Sequence, residues 1–259
     1  MSNPTPYPEI NTVLDLLLAG VQTVLGDHFI GLYLHGSLAS GDYNPHTSNI
    51  DFLVVTRDEL PFELLPELAA MHTRLTASGL KPAAKLEGSY IPLDALRRYD
   101  PPHVEHPVLR VDGTFAVDGH GTDWIIQRHY LRQQGIPIIG PPLETLIDPV
   151  QPADLLRAVL GILQEWWSPP FPNPARFDSP EYQAYAVLTM CRALYTLQFA
   201  DVVSKLTAAR WAQAALGDPW AALIERALAW QPGALFDSQA QTFAFIQFTL
   251  DRSREFATD

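Results

Sequence analysis

Two short stretches hold residues whose types and spacing could do chemistry on a phosphate. In the first, Tyr33-Leu34-His35-Gly36-Ser37, a β-rich run enters a Gly-Ser pair. In the second, Thr47-Ser48-Asn49-Ile50-Asp51-Phe52-Leu53-Val54-Val55, polar residues two apart head another apolar run. Side chains alternate across a strand, so Asn49 and Asp51 should share one face while Ile50 turns to the core. Gly36 lets the backbone approach a ligand closely, and the Ser37 hydroxyl with neighbouring N–H groups can hold a phosphate. A carboxylate opposite that turn, Asp51, can hold Mg²⁺ against the same phosphates. A bare Gly-Ser pair carries no weight. The strand–turn–strand context gives the pattern its specificity, against the alternative of an ordinary surface loop.

The elements that must position these residues follow from hydrophobic periodicity. Helical spacing covers residues 10–24 and ends near Gly26. Strands are expected over 29–34, 50–55 and, between Pro82 and Pro92, over 85–91, with a helix within 62–79. A hairpin across 106–117 would turn at Asp112-Gly113, before a helix over 122–134 and a strand over 136–139. Gly140-Pro141-Pro142 and Asp148-Pro149-Val150-Gln151-Pro152 then punctuate the chain. Beyond them the patterns are helical, over 153–167, 181–200, 205–215, 220–229 and 239–255. The proline-rich stretch Ser168 to Pro174 is a stiff connection. The expected class is α+β: a domain of mixed sheet with helices over residues 1–150, then an α-helical bundle over 151–259.

Composition narrows the chemistry. The 259 residues carry 17 Lys and Arg against 29 Asp and Glu, a net charge of −12, with no basic cluster. Binding to nucleic acid by phosphate neutralisation would need the opposite balance. An acidic surface either attracts a cationic small-molecule partner or only aids solubility. Cys191 stands alone, so no internal disulfide forms, and its apolar surroundings (Val187 to Cys191) suit a buried structural thiol in a reducing cytoplasm. The N-terminus has no basic segment before an apolar one. Asp15, Gly20 and Gln22 interrupt residues 13–25, which argues against a membrane span. No long apolar stripe suggests a partner chain, so a monomer is expected. His103, His106, His120 and His129 match no compact zinc spacing. Trp166, Trp167, Trp211, Trp220 and Trp230 recur among aliphatics at helical spacing, as core residues would.

Gly36-Ser37 with Asn49-x-Asp51 resembles the Gly-Ser…Asp-x-Asp signature of the DNA polymerase β-like nucleotidyltransferases. Further residues are similar to one branch, the streptomycin/spectinomycin adenylyltransferases. They are Ile138 to Pro142, Ile147 to Val150, Val187 to Tyr195 and Ser204 to Ala212. The likeness implies AMP transfer from Mg-ATP to a hydroxyl of an aminoglycoside, with ATP and Mg²⁺ as cofactors. It implies metal ligands at Asp51, Asn49 and Glu87, the last in the strand pattern Lys85 to Tyr90 and also the base. Gly36, Ser37, Ser48, Arg192 and Lys205 would contact the nucleotide, and Glu87, Asp178 and Glu181 the aminoglycoside. The alternatives are a salt bridge within the bundle for Arg192, a surface lysine at a helix start for Lys205, and a helix N-cap for Asp178. One departure concerns Asn49, where the family has an acid: an amide is a poorer Mg²⁺ ligand than a carboxylate. A weakened enzyme, an inactivated one or a non-catalytic relative would each be consistent with it, and a different acceptor is a further reading. A second departure is Arg110-Val111-Asp112-Gly113, which stands where the family has a tryptophan near its sugar-binding cleft.

Overall fold

The structure, a computed structural model, describes residues 3–99 and 105–257, so His103 lies outside the described residues. The chain forms two compact units, divided between Pro149 and Val150.

The first unit is built on a six-stranded sheet with helices on it. In chain order its elements are α1 (Pro8–Leu25), β1 (Phe29–Leu34), α2 (Gly36–Ser40), β2 (Ile50–Thr56), α3 (Leu64–Thr76) and β3 (Leu86–Pro92). Then follow α4 (Leu93–Arg97), β4 (Glu105–Leu109), β5 (Phe115–Gly119), α5 (Asp123–Gln134), β6 (Ile136–Ile139) and α6 (Leu143–Leu146). The strand order is β5-β4-β3-β2-β1-β6. Only β2 and β3 pair in parallel, joined by the crossover through α3; every other pair is antiparallel.

Alternation sorts each strand's side chains between two cores. Leu32, Leu34, Ile50, Phe52 and Val54 pack under α1 and α3, with Ile10, Leu14, Leu17, Val21, Leu68 and Leu75. Tyr33, Leu53, Val55 and Ile91 pack on the other face with Leu131 of α5 and Leu143 and Leu146 of α6. By length and composition alone Pro8–His28 could cross a membrane. In the fold the apolar stripe of α1 is instead the largest contributor to the first core, the arrangement of an amphipathic helix laid on a sheet.

Three short helices occupy segments that periodicity leaves as loops: α2, α4 and α6, of 5, 5 and 4 residues. Each is about a single turn, too short for a 3.6-residue pattern to register. A buried polar cluster lies near α5. His106 and His120 have ring centroids 4.7 Å apart, and His120 stacks on Trp124 at 3.8 Å. Arg128, also buried, donates to the carbonyls of Leu96, Trp124 and Ala95. Burial and the nearby Arg128 charge push His106 down to about 4; burial first, then His106 and Arg128, push His120 to about 3.

The second unit is helical: α7 (Pro152–Trp166), α8 (Pro180–Phe199), α9 (Lys205–Leu216), α10 (Trp220–Ala229) and α11 (Gln239–Ser253). Helix α8 is central, touching each of the other four. The free thiol of Cys191 on α8 is buried, and burial pushes it up to about 12. Trp166 departs from the expected core role. It is 59% exposed, whereas Trp167 is buried at 4%, because adjacent residues at a helix end cannot both face inward.

Candidate active site

Residues at the N-terminal ends of the parallel pair, together with the turn after β1, make the site. In the parallel register Asp51 stands opposite Glu87. Alternation puts Asp51 on the Leu53 and Val55 side of β2, and Glu87 on the Ile91 side of β3, so both carboxylates share the face that α5 covers. Asn49, one residue before β2, has the same parity. Its Nδ2 donates to Glu87 Oε2 at 2.7 Å. A carboxylate can only accept, so the amide must present its nitrogen there and turn Oδ1 away. All three side chains are half-buried.

Gly36 closes the site from the β1 side. It adopts φ +62°, and a Cβ added to it would lie 2.0 Å from Asp51 Oδ2. Asp51 thus rests directly on the Gly36 backbone, which only glycine allows. The His35 N–H donates to the Asp51 carbonyl at 3.1 Å, tying the end of β1 to β2. Tyr130 of α5 donates its hydroxyl to the Gly36 carbonyl at 3.1 Å, fixing the turn from the far side. The His35 imidazole is lowered by burial, opposed by the Asp51 charge and a hydrogen bond to the Phe52 backbone.

Ser37 lies in α2, not in an open turn as its sequence context suggests. Its Oγ is buried and has no hydrogen-bond partner among the described residues, as has Asp42 Oδ2 just beyond. A buried hydroxyl without a partner costs free energy unless something is bound to it, so the Ser37 position suits a ligand oxygen. Ser48 is half-buried. Its Oγ accepts from the Asn44 N–H at 3.1 Å and closes the loop before β2.

These oxygens also suit Mg²⁺, a hard cation that takes carboxylate, amide and water oxygens. Asp51 and Glu87 supply the charge, and Asn49 Oδ1 a neutral donor. Among the described residues no group of three or more His, Cys, Asp or Glu could hold a metal; the cluster here is two carboxylates and an amide.

The residues expected from the helical half all lie in the second unit. Arg192 on α8 is half-buried, its Nε buried without a hydrogen-bond partner, and no ion pair among the described residues includes it. Lys205 opens α9, with Nζ 5.2 Å from the centroid of the Tyr185 ring. Asp178 and Glu181 are exposed at the start of α8. The N-cap reading of Asp178 is overturned: Ser179 caps α8, accepting from the Tyr182 N–H, while Asp178 pairs with Gln239 at 3.5 Å. Arg110 to Gly113 form the β4–β5 hairpin turn, braced by an Arg110–Asp118 ion pair.

Sequence reasoning missed Tyr130, Asp42 and the structural part of His35. Tyr130 carried no signal, being one aromatic in a helix pattern. Asp42 follows Gly41 within the motif's own loop and could have been noticed.

Comparisons with known proteins match both halves of the chain. Residues 24–94 match the family described as a nucleotidyltransferase domain, and residues 145–250 match the aminoglycoside adenylyltransferase C-terminal domain. Curated aminoglycoside (3'') (9) adenylyltransferases of Shigella flexneri and Escherichia coli are each 26% identical over 215 residues, covering 79% of this chain and 78% of theirs. The fold is shared with a spectinomycin adenyltransferase from Enterococcus faecialis solved with ATP and spectinomycin. Its TM-score is 0.74 at 17% identity, covering 94% of this chain and 98% of that one. With both halves matched in order, the chain is a nucleotidyltransferase enzyme whose nucleotidyltransferase domain is followed by an aminoglycoside adenylyltransferase C-terminal domain.

Proposed function

We propose that the protein transfers AMP from Mg-ATP to a hydroxyl of an aminoglycoside or aminocyclitol antibiotic of the streptomycin or spectinomycin type. The observation that carries this reading is Asp51, held against Gly36 and in register with Glu87, beside the unpartnered Ser37 hydroxyl. The substrate class rests on the family and on the relatives' acceptors.

In the proposed reaction the acceptor hydroxyl oxygen attacks the α-phosphorus of ATP. The bond from that phosphorus to the bridging oxygen breaks, and pyrophosphate leaves with the electron pair. Glu87 accepts the hydroxyl proton. Ser37 and the backbone at Gly36 orient phosphate oxygens. Asp51, Glu87 and the Asn49 amide oxygen would hold Mg²⁺, which neutralises charge on the phosphates. We assign Arg192 and Lys205 to the remaining nucleotide charge, and Glu87, Asp178 and Glu181 to the substrate's ammonium groups. Positioning and charge neutralisation supply most of the rate in such transfers. The net charge of −12 favours encounter with a polycationic acceptor. We place the reaction in the cytoplasm, where ATP is abundant, and expect a monomer.

Calorimetric titration with ATP and Mg²⁺, repeated with spectinomycin or streptomycin present, tests the reading. ATP binding that strengthens binding of either drug, with pyrophosphate released on mixing, is expected. No ATP binding at millimolar concentration would overturn it. ATP binding and pyrophosphate release without protection of cells from either drug would keep the nucleotidyl transfer and move it to another acceptor.

A further inference from the structure

We infer that Asn49 is a positioning residue for Glu87: a neutral amide clamp that sets the Glu87 carboxylate before any metal binds. The inference rests on the proposed role of Glu87 as proton acceptor. Its foundation is the hydrogen bond from Asn49 Nδ2 to Glu87 Oε2 at 2.7 Å. The two residues are 38 apart in sequence and meet only because β2 and β3 pair in parallel.

An aspartate has the same shape and reach as Asn49 but can only accept. Placed here, it would bring a carboxylate oxygen to hydrogen-bond distance of Glu87 with no donor between them. Asp51, in register with Glu87, would be a third negative charge on the same face. Carboxylates that close repel one another, and a bound Mg²⁺ would relieve that repulsion. Asparagine removes one negative charge and adds a donor that holds Glu87 Oε2. The same amide keeps Oδ1 free for a ligand, at the expense of Mg²⁺ affinity, since a neutral oxygen is the weaker donor. The substitution is therefore a change in what orients Glu87, and the geometry of this site depends less on Mg²⁺ than an Asp-x-Asp site would.

The experiment compares the full chain with Asn49→Asp, Asn49→Ala, Glu87→Ala and the Asn49→Ala/Glu87→Ala double variant. Melting temperatures are measured in chelator and during titration with Mg²⁺ alone. In chelator, Asn49→Asp should melt below the parent, and Mg²⁺ should restore it, with apparent affinity about 10–100-fold tighter than the parent's. Asn49→Ala and Glu87→Ala should be non-additive in chelator, because each removes the same bond. In turnover, Asn49→Ala should lose kcat by about tenfold or more with KM for ATP little changed. Equal melting of Asn49→Asp and the parent in chelator, strict additivity, or an unchanged kcat in Asn49→Ala would each overturn the clamp. The melting arms need no turnover. If no aminoglycoside is adenylylated, the proposed reaction fails while the clamp still stands or falls on the melting data.

Discussion

Replacing Gly36 by alanine should separate the cost of a strained backbone from the cost of a displaced carboxylate. At φ +62° the new residue would sit in the left-handed region, costing about 1–2 kcal/mol. Its Cβ would also lie 2.0 Å from Asp51 Oδ2 and 2.7 Å from Asp51 Cγ. Non-bonded carbon–carbon contacts settle at about 3.5–4 Å, and even a tight carbon–oxygen contact needs roughly 3 Å, so the carboxylate must retreat by about 1 Å or more. The β2 backbone cannot retreat with it, because Ile50 and Phe52 on either side are fully buried. The Asp51 side chain must therefore rotate away from the phosphate position. A displacement of that size costs about 100-fold in turnover. The backbone penalty alone lowers the melting temperature of a domain this size by about 2–8 °C. Gly41→Ala is the control: φ there is +79°, and an added Cβ meets nothing within 4 Å. It should lose similar stability and keep its turnover. Both variants are assayed by thermal melting and by pyrophosphate release with saturating ATP. If Gly36→Ala turns over as fast as Gly41→Ala, the argument that Gly36 seats Asp51 is wrong.

Acid should destabilise the first unit through its buried histidines. His72 and His106 are lowered to about 4 and His120 to about 3, each chiefly by burial. Their folded values lie below the ordinary value of about 6.5, so the unfolded chain takes up protons first as pH falls. Their contribution is complete above about pH 6.5 and is lost between there and about pH 4 for His72 and His106, and about pH 3 for His120. His120→Phe, which removes two buried unpartnered nitrogens, should flatten the melting-versus-pH slope across that window; an unchanged slope counts against the assignment. Ser179→Ala should cost α8 about 1 kcal/mol by removing its cap, whereas Asp178→Ala should leave stability nearly unchanged and weaken aminoglycoside binding. The reverse ranking in denaturant titrations would return Asp178 to a structural role. Arg192→Leu should cost little stability, since the Nε loses no bond, while ATP binding measured by calorimetry falls by tenfold or more. A collapse of the fold with ATP binding intact would make Arg192 structural.

Much of the fold was legible from local pattern. The strand over 29–34 and the helical spacing from residue 10 survive with nearly the same bounds, because buried runs and amphipathic faces are written into consecutive residues. The parity of Asn49, Ile50 and Asp51 was legible for the same reason: alternation is a property of the strand itself. The helix α2 was not, since five residues starting at Gly36 and stopping before Gly41 carry no period. Nor was the α8 cap. In Phe177-Asp178-Ser179-Pro180 two adjacent residues can cap, and only the backbone places Ser179, at φ −82° and ψ 125°, in the N-cap geometry.

The sequence by itself thus determined which residue types stand at the site, which face of β2 they occupy and which family they resemble. The tertiary structure decided who meets whom. Parallel pairing of β2 with β3 sets Asp51 opposite Glu87 and brings the Asn49 amide onto it. Closure of α5 over the sheet carries the Tyr130 hydroxyl 94 residues back to the Gly36 carbonyl. Periodicity reports the environment of each side chain within a few residues of itself. Register between strands and the docking of a helix are set by burial summed over the whole core, so no short stretch of sequence encodes them.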